Sequence, residues 1–375
     1  MYKAYKFRMY PSRKQEVLIH KTFGCYRFIY NYFLNECKEK GFQKAYDLCK
    51  ELKGLEKEYE WLKEVDSCSL RCAIFNLEDA YQNFFSKRGN YPTFKNKFSR
   101  QTYRTNCIRS SYKGKEYSNI EIDLKERIIK LPKLGIVEIR GYRNLEGILG
   151  RIVNATIIRE TTGKYYVSVV VDEVEIIKEK VNPKKIVGID LGVKDLVITS
   201  DGEKYSNEKV YHRYEKRLKR IQRKLSRQVR GSNNYLKTKK RLSKIYSKIK
   251  NTRKHSIYTI VNQIVEENDI IVSEKLDIKK MSQNHRLSKS ILDASMNQIC
   301  TLFKWKSERK GKYYYQVNPY YPSSKTCSRC GYKTEITNHL SIRSWECEEC
   351  GNKNDRDINA SINIMFEGLR LHYGK

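Results

Sequence analysis

Residues 186–196 read IVGIDLGVKDL. The run Ile186–Ile189 has the length and the β-branched content of a buried strand, yet Asp190 ends it. An ionised carboxylate in apolar surroundings costs several kcal/mol unless something pairs with it. Asp190 is therefore either a turn residue before Leu-Gly or a group placed to hold a charge.

The surrounding sequence sets this strand in an α/β layer architecture. DLVITS, the turn Asp201-Gly202 and EKYS follow it, which makes three strands in succession, the last two a hairpin. DIIVSEKL (269–276) is a compact strand ending in Glu274, and KYYYQVNP is another. Between them, LDASMNQICTLFKWKSERKG has helical periodicity, and DINASINIMFEGLRLH, beginning at Asp357, reads as a last helix.

Two long basic helices interrupt this pattern. YHRYEKRLKRIQRKLSRQVR carries one apolar stripe of Leu218, Ile221, Leu225 and Val229, and most of the rest of its circumference is Lys or Arg. GSNN breaks it. The next helix has Leu242, Ile245 and Ile249 on its stripe and can run on through Ile260 and Ile264. The plain reading is a solvated charged face. A face of nearly one sign, almost without acidic i,i+4 partners, favours phosphate contact instead.

Upstream of the linker VNPKK (181–185) the pattern differs. YKAYKFRMYP is a strand closed by Pro11, and residues 12–100 turn helical: one helix ends at Gly41 and another near Gly89. From Gln101 to Val181 come short β runs, with TTGKYY as a turn between two of them. These predict a small antiparallel barrel or sandwich that the first strand could complete.

Composition narrows the partner. The chain has 375 residues, enough for two or three domains, with 76 Lys+Arg against 43 Asp+Glu and a formal net charge of +33. Such an excess repels itself in the folded state and points to a polyanion. The 29 tyrosines add rings that can stack on unpaired bases, although most have packing roles. No run of about 18 apolar residues suggests a membrane span, and a start charged from Lys3 does not read as a signal peptide.

Asp190, Glu274 and Asp357 share one kind of place, the end of a strand or the start of a helix, where α/β active sites collect. If the first and fourth strands of this region run parallel and adjacent, Asp190 and Glu274 emerge together. Three close carboxylates repel and are stabilised by divalent cations. All-oxygen donors suit Mg²⁺ or Mn²⁺, and two such ions can drive phosphodiester hydrolysis. Each acid also has a plainer reading. Asp190 could be a turn residue, Glu274 the partner of a lysine, and Asp357 an N-cap with Asp355 outside the helix. Their joint occurrence on so basic a chain favours the metal site.

Cys327, Cys330, Cys347 and Cys350 form C-x2-C-x16-C-x2-C, with glycine after each pair. This spacing predicts one closed structural zinc site on four thiolates. The other seven of the eleven cysteines show no framework and read as free thiols of a reducing compartment. There is no GxxxxGK[ST] loop, and the six histidines form no HxH or HxxxH pair; they read as surface or core residues.

GIDLGVKDL, SEKLDIKKM, SSKTCSRCG…WECEECG and DRDINASINI occur in that order, preceded by KFRMYPSRKQEVLIHKTFGCYRFIYN and NYPTFKNK. The ordered set resembles the TnpB family, the OrfB-type proteins of bacterial and archaeal insertion sequences related to type V CRISPR effector nucleases. The resemblance spans about residue 3 to the last helix. It implies a multi-domain α/β protein: a wedge-like β-barrel (1–11 and 101–181), a helical recognition domain (12–100), an RNase H-like RuvC nuclease domain (182–319 and 353–375) and an inserted zinc ribbon (320–352). It further implies an RNA-guided DNA endonuclease that binds a transposon-end guide RNA and double-stranded target DNA beside a short motif. Such a protein would be cytoplasmic and nucleoid-associated; the sequence does not give its oligomeric state, a monomer being the favoured reading. Asp190, Glu274 and Asp357 would hold two Mg²⁺ or Mn²⁺ ions, Asp357 being preferred to Asp355 because x-Asn-Ala follows it. The rival readings are a guide-bound regulator that does not cut, a type V CRISPR effector proper, or an accessory transposition protein.

Overall fold

The computed structural model describes residues 2–112, 115–141, 150–172, 180–285, 287–339 and 342–374. Glu173, in the expected last barrel strand, and residues 340 and 341, in the cysteine segment, lie outside them. The chain divides into two compact units, Met1–Glu175 and Ile176–Lys375.

In the first unit β1 (Tyr2–Tyr10) leads into α1 (Arg13–Lys40), α2 (Ala45–Glu58) and α3 (Ser67–Phe85). Helix α1 opens on a capping box: the Ser12 hydroxyl accepts from the Gln15 N–H and the Gln15 side chain accepts from the Ser12 N–H. It closes at Gly41, whose φ of 85° suits glycine. Asp66 caps α3 through the N–H groups of Cys68 and Ser69.

Strands β2 (Gln101–Asn106), β3 (Arg109–Tyr112), β4 (Lys115–Ser118), β5 (Glu121–Asp123), β6 (Ile128–Leu131), β7 (Gly135–Arg140), β8 (Arg151–Arg159) and β9 (Tyr165–Asp172) follow. Seven of the unit's strands form an antiparallel sheet in the order β2-β8-β9-β1-β7-β6-β5, and β3 and β4 form a separate hairpin. The first strand joins this sheet: β1 lies inside it, paired with β9 and β7. One expectation is corrected here. The two end strands, β2 and β5, do not pair with each other among the described residues, so the ladder is open. Tyr165, Val167, Val169 and Val171 of β9 alternate inward onto the core with Tyr5, Phe7 and Met9.

The second unit begins with β10 (Ile186–Asp190), β11 (Asp195–Thr199) and β12 (Lys204–Ser206), followed by α4 (Val210–Ser226), α5 (Asn233–Glu267) and β13 (Ile270–Glu274). Next come α6 (Ile278–Met281), α7 (Ser288–Ala294), α8 (Met296–Arg309), β14 (Tyr313–Val317), the short pair β15 (Ser344–Glu346) and β16 (Lys353–Asp355), and α9 (Arg356–Tyr373). The sheet order is β12-β11-β10-β13-β14. β10, β13 and β14 run parallel, and β11 is antiparallel to β10 and β12. Helices α5 and α8 pack against one face, on Val187, Ile189 and Ile271, while Ile364 of α9 joins Ile270, Val272 and Val317 on the other. Covered faces explain why β10 and β13 are apolar runs rather than alternating ones.

The helix expected across 292–311 is two helices, because Ser295 adopts φ 54° between α7 and α8. The apolar stripe also ends early: Leu218 is fully buried, whereas Val229 lies beyond α4 and is exposed. No helix among the described residues is long and apolar enough to cross a membrane.

Candidate functional site

Asp190 and Glu274 are the last residues of β10 and β13. The strands are parallel neighbours with Ile189 level with Ser273, so the two acids emerge side by side. Burial pushes the Asp190 carboxyl up to about 7, reinforced by the charges of Glu274 and Asp357 and opposed by the Leu191 N–H and Arg356. Burial likewise raises Glu274, against the hydroxyl of Ser323, which donates to its Oε1. Among the described residues Glu274 thus has a hydroxyl for a partner rather than a lysine.

Asp357 is near enough for its charge to act on Asp190 because α9 lies directly on the sheet. A Cβ at Gly188 would fall 1.9 Å from the Ser361 carbonyl oxygen and 2.6 Å from the Met365 nitrogen. A Cβ at Gly368 would fall 2.2 Å from Val272 Cγ2. Only glycine permits these approaches.

The N-cap of α9 is Asp355, which accepts from the N–H groups of Asp357 and Ile358, both at 3.1 Å. Burial alone would raise the Asp355 carboxyl, but Lys204, at 2.6 Å, and these N–H groups hold it below its ordinary value. Asp355 therefore has its partners already. Asp357, in the first turn, carries a different one: Arg343 donates to its two oxygens at 3.0 and 3.1 Å. The charges of Glu274 and Asp357 act on Asp190, yet the oxygens of the three acids are not a closed cluster. Among the described residues, only the four cysteines bring three or more such ligand atoms all within 4.8 Å of one another.

Composition and periodicity did not single out Arg343, Ser323, Asn359 or Asn363. Both asparagines are buried on α9. Asn359 accepts from the Ser328 N–H and donates to the Thr326 carbonyl, and Asn363 donates to the Ser323 and Thr326 carbonyls. Arg356 binds the His339 carbonyl at 2.9 Å, and its N–H binds the Arg343 carbonyl at 2.8 Å. The cysteine segment is thereby fastened to the first turns of the helix that bears Asp357. The legible signal was polar residues at 356, 359 and 363, a helical repeat on a face that should have been apolar.

In that segment Cys327 and Cys350 have sulfurs 3.8 Å apart, and Cys330 and Cys347 3.6 Å apart. A tetrahedral ion with bonds of about 2.3 Å to sulfur sets neighbouring sulfurs roughly 3.8 Å apart, so the four thiols fit such an ion. Gly331 and Gly351 turn the chain after each pair at φ 80° and 67°. Burial resists ionisation of Cys327, but the N–H groups of Cys330 and Arg329 and the neighbouring thiols bring it below the ordinary thiol value.

Helices α4 and α5 pack through Leu218, Ile221, Ile245 and Ile249. Between them lies a groove of about 670 Å³ lined by Arg217, Arg220, Lys224, Arg241, Lys244 and Lys248. Glu215, the acid on this surface, is held near 2 by hydrogen bonds from Lys219 and Lys289.

A family model described as a probable transposase, OrfB of the IS605 type, matches residues 167–285. A Cas12f1-like TNB domain model matches 297–364, and a helix-turn-helix model of the OrfB type matches 1–41. In the last span the structure has one strand and one helix, β1 and α1. A Streptomyces pristinaespiralis protein named "Putative RNA-guided DNA endonuclease" is 30% identical over 377 residues, covering 98% of this chain and 89% of its own. A protein of the same description from Escherichia coli K12, InsQ, is 30% identical over 97% of this chain and 92% of its own. A mimivirus TnpB-like protein, L79, is 30% identical over 52% of this chain and 40% of its own. Among solved structures, a Cas12f1–sgRNA–target DNA complex superposes with a TM-score of 0.55 at 15% identity, covering 97% of this chain and 98% of that one. The mini-RNA-guided endonuclease CRISPR-Cas_phi3 gives 0.52 at 12%, covering 98% and 92%. These two share the mixed α/β fold.

Proposed function

The chain belongs to the TnpB (OrfB) family, and on that premise we propose that it is an RNA-guided DNA endonuclease with one nuclease site at Asp190, Glu274 and Asp357. The observation that carries this reading is the adjacency of Asp190 and Glu274 on parallel strands, with α9 clamped over them. The donors are all carboxylate oxygens, and burial with the charges of the other two acids pushes the Asp190 carboxyl up to about 7, so a divalent cation there would favour its ionised form.

Magnesium or manganese held by the three acids would polarise the scissile phosphate and acidify the attacking water. The chain's own groups arrange this chemistry. Asp190 would give up its proton on holding a cation, so binding would release protons. Ser323 orients Glu274 by its hydrogen bond. Asp355 frees Asp357 for the site by taking the cap and Lys204. Arg343 neutralises Asp357 and adds a cation where the phosphate must lie.

The remaining parts follow the family. Residues 182–319 and 353–375 are the RuvC-type, RNase H-like nuclease domain, and 320–352 are a zinc ribbon. Residues 1–11 with 101–181 are the wedge-like domain, and 12–100 the recognition helices. Guide RNA pairs with the target strand, while the basic groove of α4 and α5 holds nucleic-acid backbone without reading sequence. The protein acts in the cytoplasm on nucleoid DNA.

The test is to sequence the RNA that copurifies, build a plasmid target matching its guide segment, and add Mg²⁺. The proposal expects cutting that depends on the match. A plasmid left supercoiled by an RNA-loaded complex would instead make the protein a regulator.

A further inference from the structure

A cavity of about 420 Å³ adjoins the acid site, lined by Val193, Lys194, Asn207, Lys209, His212, Ser290, Asp293 and Arg343. Two of its walls are continuations of the site. Val193 and Lys194 follow Asp190 within one tight turn, in which a Cβ at Gly192 would lie 2.7 Å from the Asp195 carbonyl oxygen. Arg343 is the arginine that holds Asp357.

The wall is built and charged. The Asn207 side chain donates to the Val193 carbonyl at 2.9 Å and accepts the Lys209 N–H at 3.0 Å, which ties the two lysine-bearing loops together. Lys209 has φ 46°, a left-handed conformation that is costly for a residue with a long side chain. The acid of the wall, Asp293, is buried and already partnered: Arg253 donates to Oδ1 and the Tyr211 N–H to Oδ2. Among the described residues neither Lys194 nor Lys209 has a carboxylate partner. The cavity is thus a net cationic space at the edge of an anionic site. Its volume falls at the lower end of the roughly 300–1,000 Å³ of small-ligand sites, which suits one nucleotide rather than a duplex.

We infer that this cavity seats the nucleotide next to the scissile phosphate of a single DNA strand, with the flanking phosphate held by Lys194 and Lys209. The inference rests on the nuclease reading above and extends it. The two lysines are positioning residues: they fix the strand so that the next phosphate lies over Asp190, and they contact backbone, not bases.

The experiment uses the full chain with its copurifying RNA and a matching target. The variant is Lys194→Gln with Lys209→Asn, because asparagine tolerates the left-handed conformation at 209. In Mg²⁺, a neutral methylphosphonate is placed singly on either side of the scissile phosphate. Wild type should lose about tenfold in single-turnover rate at one of the two positions, the scale of a charge-assisted contact. The variant should be equally slow on unmodified DNA and lose no more with the modification, since both changes remove one interaction. Wild-type cutting by the variant, or two losses that multiply, would overturn the inference. If wild type does not cut at all, the nuclease reading fails, and the cavity is judged by binding of a single-stranded DNA oligonucleotide in Ca²⁺. A slope of log affinity on log salt about two smaller in the variant then supports the cavity, and an unchanged slope overturns it.

Discussion

Gly188 of β10 and Ser361 of α9 touch backbone to backbone: a methyl group on Gly188 would stand 1.9 Å from the Ser361 carbonyl oxygen. That approach sets the distance between the strand that ends in Asp190 and the helix that starts beside Asp357. Gly188→Ala should therefore push α9 off the sheet, costing at least the 1–3 kcal/mol typical of overpacking. Cleavage should fall far more than copurification of RNA, and thermal melting should register the stability loss. A variant with wild-type melting and cutting would show that the clamp does not set the site.

Asp190→Ala should abolish cleavage while leaving RNA and target binding intact. A filter-binding assay beside a plasmid assay separates the two; retained cutting refutes the site assignment.

Asp190 also predicts a pH dependence. Its carboxyl ionises near 7 in the folded metal-free protein, against about 3.9 in the unfolded chain. Between these values the folded state holds a proton that the unfolded state has lost. The stability this proton confers is complete below about pH 4 and lost as pH rises through 7. Asp190→Asn should gain on wild type over that window, by an amount on the order of 4 kcal/mol at most, in melts with EDTA. At limiting Mg²⁺, cleavage should rise with pH through about 7, and saturating Mg²⁺ should move that midpoint downward as metal displaces the proton.

Arg343 competes electrostatically with any cation bound by Asp357. Arg343→Ala should lower the Mg²⁺ concentration needed for half-maximal cleavage. A titration in which that concentration rises would contradict the competition.

Metal analysis should give one zinc per chain, lost in the double variant Cys327→Ser, Cys330→Ser. The cysteine segment carries Arg343 and is tied to α9 by Arg356, Asn359 and Asn363. Loss of zinc should therefore abolish cleavage and melt this segment, while RNA still copurifies.

Several parts of this architecture are legible residue by residue. The C-x2-C pairs with their glycines specify two knuckles, because each needs a positive φ after its second cysteine. The apolar runs before Asp190 and Glu274 are buried strands, and Gly41 and Asp201-Gly202 mark a helix end and a hairpin. These are local, and short-range sterics decide them. The excess of basic residues names a polyanionic partner for the same reason: charge adds up whatever the fold.

Other features depended on partners distant in the chain. Nothing local says that 186–190 lies parallel to 270–274, that β1 sits inside its sheet, or that Ser295 breaks a periodic helix. Nor does the string NDRDIN say which aspartate caps α9 and which faces Asp190. Lys204 and two backbone N–H groups claim Asp355, while Asp357 pairs with Arg343 on a helix that lies against β10 at Gly188. The sequence by itself determined which acids and thiols were available and that the strands ending in Asp190 and Glu274 are buried. Tertiary structure alone decided which of them meet, because register, close backbone approach and the pairing of each charge are set between segments that the chain brings together only on folding.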